Sequence, residues 1–103
     1  MEDWSKSRLF EAEFTIEVEN SYLVNQYLKT GSRFSLWRDD TNFTACQIEK
    51  VYNKIGKIFP GETATIDFSA INTQVTKTLK AGDLVYFGVP HTRIGTIKIM
   101  AEK

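Results

Sequence analysis

Phe10-Glu11-Ala12-Glu13-Phe14-Thr15-Ile16-Glu17-Val18-Glu19 is the stretch that decides how this chain folds. Its apolar residues occupy every second position, with acidic or hydroxylated ones between them. That is the period of an extended strand with one face buried and the other in water. A helix has no use for such an order, because a repeat of 3.6 residues would scatter the apolar side chains around its circumference. A strand is therefore expected over Leu9 to Glu19, with Phe10, Ala12, Phe14, Ile16 and Val18 facing a core and Glu11, Glu13, Thr15, Glu17 and Glu19 facing solvent.

The alternation returns at Ala64, Ile66, Phe68 and Ala70, set against Thr63, Thr65, Asp67 and Ser69, and more weakly from Leu84 to Met100. Strands are expected over Arg33 to Arg38, Phe43 to Tyr52, Thr63 to Ile71, Leu84 to Val89 and Arg93 to Met100. Asp39-Asp40-Thr41-Asn42 reads as a hairpin turn, since short polar side chains bond their own backbone there. Phe43, Ala45 and Val51 share one phase and Cys46, Ile48 and Tyr52 the other, so a bulge is expected within the third strand. Tyr22 to Leu28 carries apolar pairs four apart, behind Ser21 and ahead of Gly31. One short helix or an irregular loop is expected near 21–30. Six short strands divided by turn signals define an all-β class, a small six-stranded antiparallel Greek-key β-barrel.

The chain has 103 residues, 42% hydrophobic and 25% charged, with 13 basic and 13 acidic side chains and no net charge. One domain over 1–103 fits that length. Neutrality removes any long-range pull on a phosphate backbone, so a nucleic-acid contact would have to be local. Cys46 is the single cysteine and His91 the single histidine. A lone thiol fits a reducing, cytoplasmic setting, and no apolar run reaches the roughly 18 residues of a membrane helix.

Catalytic constellations are not visible. His91 lies in a turn between Pro90 and Thr92, and Cys46 in a strand far from it in sequence, so a buried cysteine and an exposed histidine are favoured over a nucleophile–base pair. The glutamates of the first strand read as a solvated face rather than paired acids. One histidine with scattered carboxylates has no metal-ligand spacing. No Gly-rich loop ends in Lys-Ser or Lys-Thr, so no nucleotide and no cofactor is expected. What remains are candidate contact residues. Arg33, Trp37 and Arg38 come from one expected strand, with Trp37 out of phase with Phe34 and Leu36; capping the end of the core and facing outward are equally open to it. His91 and Arg93 share the turn that follows Val89. Arginine and tryptophan are the residues most often found as binding anchors.

The order of these motifs resembles the third, C-terminal β-barrel domain of the elongation factor Tu family of translational GTPases. Phe10-Glu11-Ala12-Glu13-Phe14 resembles the family's opening strand, and Gly31-Ser32-Arg33-Phe34 stands at its Gly-aromatic-Arg-Pro turn. Pro60-Gly61-Glu62 replaces Pro-Gly-Asp, Leu79 to Val89 stands for the strand before the closing Gly-Gly-Arg-Thr-Val-Gly segment, and Ile94-Gly95 fits that segment's Val-Gly. Pro90-His91-Thr92-Arg93 shifts the family's arginine by one position, which in a strand turns it to the opposite face. The resemblance implies a six-stranded antiparallel barrel without a catalytic role, in a family whose full-length members contact tRNA, a GTPase domain and an exchange partner. It directs the functional expectation to a stand-alone, non-catalytic binding module with a protein partner, favoured over tRNA or another RNA. A small inhibitor of the immunity-protein or antitoxin kind is the alternative, and an enzyme is the least supported class.

Overall fold

The computed structural model describes residues 7–17, 27–39, 42–71, 73–89 and 92–103. Eight strands and one helix follow in the order β1 (Arg8–Ile16), β2 (Leu28–Lys29), β3 (Arg33–Trp37), β4 (Thr44–Val51), β5 (Lys57–Ile58), β6 (Thr63–Ala70), α1 (Gln74–Thr78), β7 (Leu84–Val89) and β8 (Thr92–Glu102). Six of the strands close an antiparallel barrel in the order β1-β6-β4-β3-β7-β8, and β2 and β5 form a separate two-stranded ribbon. The all-β class and the six-stranded closed barrel expected from the alternation are the observed ones.

Closure follows from β1. Phe14 lies opposite Ala64 of β6 and Ile97 of β8, so the strand with the cleanest alternation pairs along both of its edges. Its inward face, Phe10, Ala12, Phe14 and Ile16, is buried. Phe10, Phe14, Ile16, Ile66, Phe68, Val85 and Phe87 all belong to one continuous core. At its centre Phe14 meets Phe34, Phe68 and Phe87, with ring centroids 5.3, 5.5 and 5.0 Å away. Four aromatic rings from β1, β3, β6 and β7 thus meet at the barrel axis, at separations where edge and tilted packing are favourable.

The mixed phases of β4 resolve as a bulge. Its register against β6 shifts between Ile48 and Lys50, so Thr44, Cys46 and Ile48 are buried before the shift and Val51 after it. β3 and β4 form the expected hairpin, with Leu36 opposite Thr44. Two glycines sit inside strands rather than in turns, for lack of room. A Cβ on Gly95 of β8 would come within 1.9 Å of the Thr15 carbonyl oxygen and 2.9 Å of the Phe87 ring.

The helix or irregular loop expected near 21–30 falls mostly on residues 18–26, which lie outside the described residues and include Val18 and Glu19. Leu28 and Lys29 are strand β2, paired with Ile58 and Lys57. The burial of Leu28 against the barrel outweighs a weak local helix signal. The only helix among the described residues is α1. The Thr73 side chain caps it by accepting from the Thr76 amide at 3.3 Å, and Val75 and Leu79, four apart, bury its one apolar stripe. Among the described residues no helix is long and apolar enough to cross a membrane.

Candidate functional site

β3 carries the candidate side chains on its outward phase. Phe34 and Leu36 point into the core, which leaves Arg33, Ser35 and Trp37 on the other face. Ser35 stands opposite Ala45 of β4 and Gly88 of β7, and Gly88 stands opposite Arg93 of β8. Three small residues in one row across three strands leave the barrel wall hollow. The result is a cleft of about 220 Å³ lined by Arg33, Phe34, Ser35, Ala45, Cys46, Gly88 and Val89. At its rim the Arg33 Nε donates to the Gln47 Oε1 at 3.2 Å.

The expected trio on β3 does not act as one patch. Arg33 and Arg38 flank opposite ends of a five-residue strand, about 17 Å apart at the usual rise. Arg38 is committed to structure. Its guanidinium donates to the Thr78 carbonyl at 3.1 Å and to Asp83 Oδ2 at 2.6 Å, tying the end of β3 to the α1–β7 turn. That hydrogen bond holds the Asp83 carboxyl below the usual aspartate range, and the Lys80 backbone amide adds to it.

Trp37 is in the outward phase, yet only 5% exposed. Phe43 packs over it with ring centroids 5.1 Å apart, and Tyr86 is its neighbour on β7. It is a covered side chain and not an open anchor. Arg93 is more accessible: its Nε donates to Glu17 Oε1 at 2.6 Å, and its guanidinium lies 4.9 Å from the Tyr86 ring centroid. His91 lies outside the described residues. Cys46 is buried, its thiol directed to the Thr44 carbonyl.

Four residues that shape this face were not singled out in the sequence. Ser35, Ala45 and Gly88 matter through being small, and Tyr86 bridges Trp37 and Arg93. Only the strand register puts them together. Among the described residues no group of three or more histidines, cysteines or carboxylates could hold a metal ion.

A second polar assembly lies on the far side, over β1, β6 and β4. Asp67 is in the outward phase of β6 but buried, because Tyr52 and Lys103 fold over it. Tyr52 Oη donates to Asp67 Oδ2 at 2.6 Å, and Lys103 Nζ donates to the same oxygen at 3.0 Å and to Tyr52 Oη at 2.8 Å. These two contacts, Tyr52 first, raise the Lys103 ammonium above the ordinary lysine range.

No family model matches the chain, and no curated protein matches it either.

Proposed function

We propose that this chain is a non-catalytic binding module of the elongation factor Tu third-domain type, which engages a protein partner through the cleft across β4, β3 and β7. The observation that carries the reading is the hollow row Ala45–Ser35–Gly88, with Arg33 at its rim. A wall of small side chains accepts a projecting side chain of a partner, and an arginine beside it supplies forked hydrogen bonds. A protein is favoured over RNA because Arg38 and Arg93 are already matched by Asp83 and Glu17. Their charges contribute little to the release of phosphate counterions on which RNA affinity depends. The resemblance directs the search for that partner to the translation machinery, and the lone thiol favours the cytoplasm as its setting.

The test is affinity capture from the native cell, read by mass spectrometry, with wild type and Ala45→Trp compared. The new indole would fill the cleft from the outer face and leave the core intact. Loss of one specific protein from the captured set supports the reading, and Arg33→Ala, which removes the arginine at the rim, should weaken the same capture by about 1 kcal/mol. An identical captured set from Ala45→Trp, with the fold confirmed by circular dichroism, overturns it.

A further inference from the structure

The ribbon of β2 and β5 concentrates features that the cleft does not use. Leu28 and Ile58 are buried beneath it, which turns Tyr27, Lys29, Lys57 and Phe59 to the outer face. The Tyr27 and Phe59 rings are 5.4 Å apart, and both residues remain more than a third exposed, at 37% and 38%. Lys29 stands directly opposite Lys57. Like charges in that position repel each other, so the ribbon holds an arrangement that an anion would relieve. Beyond it the 53–56 turn, pinned by Asn53 Nδ2 donating to the Lys57 carbonyl at 2.7 Å, presents Ile55 at 61% exposure.

Charge is segregated in this lobe. Residues 27–31 and 50–59 contain Lys29, Lys50, Lys54 and Lys57 and no acidic residue, in a chain whose net charge is zero. Among the described residues none of these four lysines takes part in an ion pair. Glu49 and Glu62 flank the lobe in sequence, and the Glu62 Oε1 accepts from the Phe59 amide at 2.8 Å.

We propose that the outer face of the β2–β5 ribbon docks an extended acidic protein segment, one in which an apolar side chain and a carboxylate recur two residues apart. Residues two apart on one face of a strand are about 7 Å apart, the spacing from the Tyr27–Phe59 pair to the Lys29–Lys57 pair. An apolar side chain rests against the exposed Phe59 ring, and the carboxylate two residues on meets the Lys29 ammonium and draws that of Lys57 off the Tyr27 ring. A nucleic acid is the poorer fit. Base stacking needs open ring faces, whereas the Lys57 Nζ lies 4.5 Å over the Tyr27 ring and the Lys50 Nζ 4.5 Å over the Tyr52 ring. The inference rests on the reading of the chain as a protein-binding module, but at a surface separate from the cleft.

The probe is a fluorescent synthetic peptide, Glu-Ser-Phe-Ser-Glu-Ser-Phe-Ser-Glu, titrated into the isotopically labelled chain. Saturable binding is expected, weakened by salt, with amide shifts confined to residues 27–31 and 50–59. Lys29→Glu creates an opposite-charge pair with Lys57, so it should fold at least as stably as wild type while losing tenfold or more in affinity. Tyr27→Ala should lose affinity as well. The same peptide with Lys for Glu should not bind. Absence of saturable binding overturns the proposal, as does tighter binding of a uridine dodecamer at the same residues. Shifts centred on Arg33, Ser35 and Gly88 overturn it too but leave the cleft reading standing, whereas an unchanged Ala45→Trp capture removes the cleft reading and leaves the ribbon.

Discussion

Phe14 is one of the side chains on which the core turns, since it touches three other rings at the barrel axis, as Phe34 and Phe68 also do. Replacing it by Ala removes those contacts and leaves a cavity that the surrounding strands, fixed by their ladders, cannot collapse to fill. The expected cost is about 3 to 5 kcal/mol, and Phe68→Ala should be comparable; chemical denaturation reads both, and a wild-type midpoint for either would dissolve the core assignment. Trp37→Ala belongs with these stability variants, because its indole is covered by Phe43. Asp83 has a different signature. Its carboxyl is held below the ordinary value of about 3.9, so its bond to Arg38 contributes stability at all pH values above that range. The contribution is lost as pH falls through the lowered folded-state value. The Arg8–Glu102 pair, in which the carboxyl is likewise lowered, acts in the same direction. Thermal melts between pH 6 and pH 2 should show Asp83→Asn less stable at neutral pH and converging on wild type in acid. A constant gap across that range would deny the linkage.

Among the elements, those that bury one whole face were legible in the sequence. β7 spans the expected residues Leu84 to Val89, and β1 and β6 depart only at their ends. The β4 bulge could be read from its two conflicting phases, because a one-residue slip is the one way to put both apolar sets inside. β2 and β5 could not be read, since two residues make no alternation. α1 could not either: one i,i+4 pair, Val75 and Leu79, with β-branched neighbours gives no helical period. Its existence depends on Thr73, which caps the first turn and also bonds the Thr44 hydroxyl at 2.7 Å. Thr73→Ala is expected to cost about 1 kcal/mol or slightly more. Urea melts would show it, and a neutral effect would mean that packing alone holds the helix. The site was legible in part. The sequence put Trp37 out of phase with Phe34 and Leu36 but left open whether it faces outward or caps the core, because the lid over Trp37 and the row of small residues arise from cross-strand neighbours, which one strand's pattern does not contain.

At the scale of the whole molecule, the order of strands around the barrel governs the time the chain needs to fold. Phe14 must find Ala64 and Ile97, partners 50 and 83 positions further along, before β1 is paired on both edges. Loops of that size form late, and chains dominated by such distant contacts refold in milliseconds to seconds rather than microseconds. Stopped-flow fluorescence should therefore show slow refolding, and a microsecond phase carrying the full amplitude would contradict the closed topology. During that interval β1 offers an unpaired ladder of amides and carbonyls to any other chain. Glu11, Glu13 and Glu17 along its outer face then discourage edge-to-edge association through mutual repulsion. A chain cut after Val89 makes the interval permanent: without β8, both β1 and β7 keep an open edge. It should elute as oligomers or aggregates, and a folded monomer would show that the barrel can stand unclosed. The acidic face that first identified β1 as a strand thus also protects the nascent protein while it waits for its last strand.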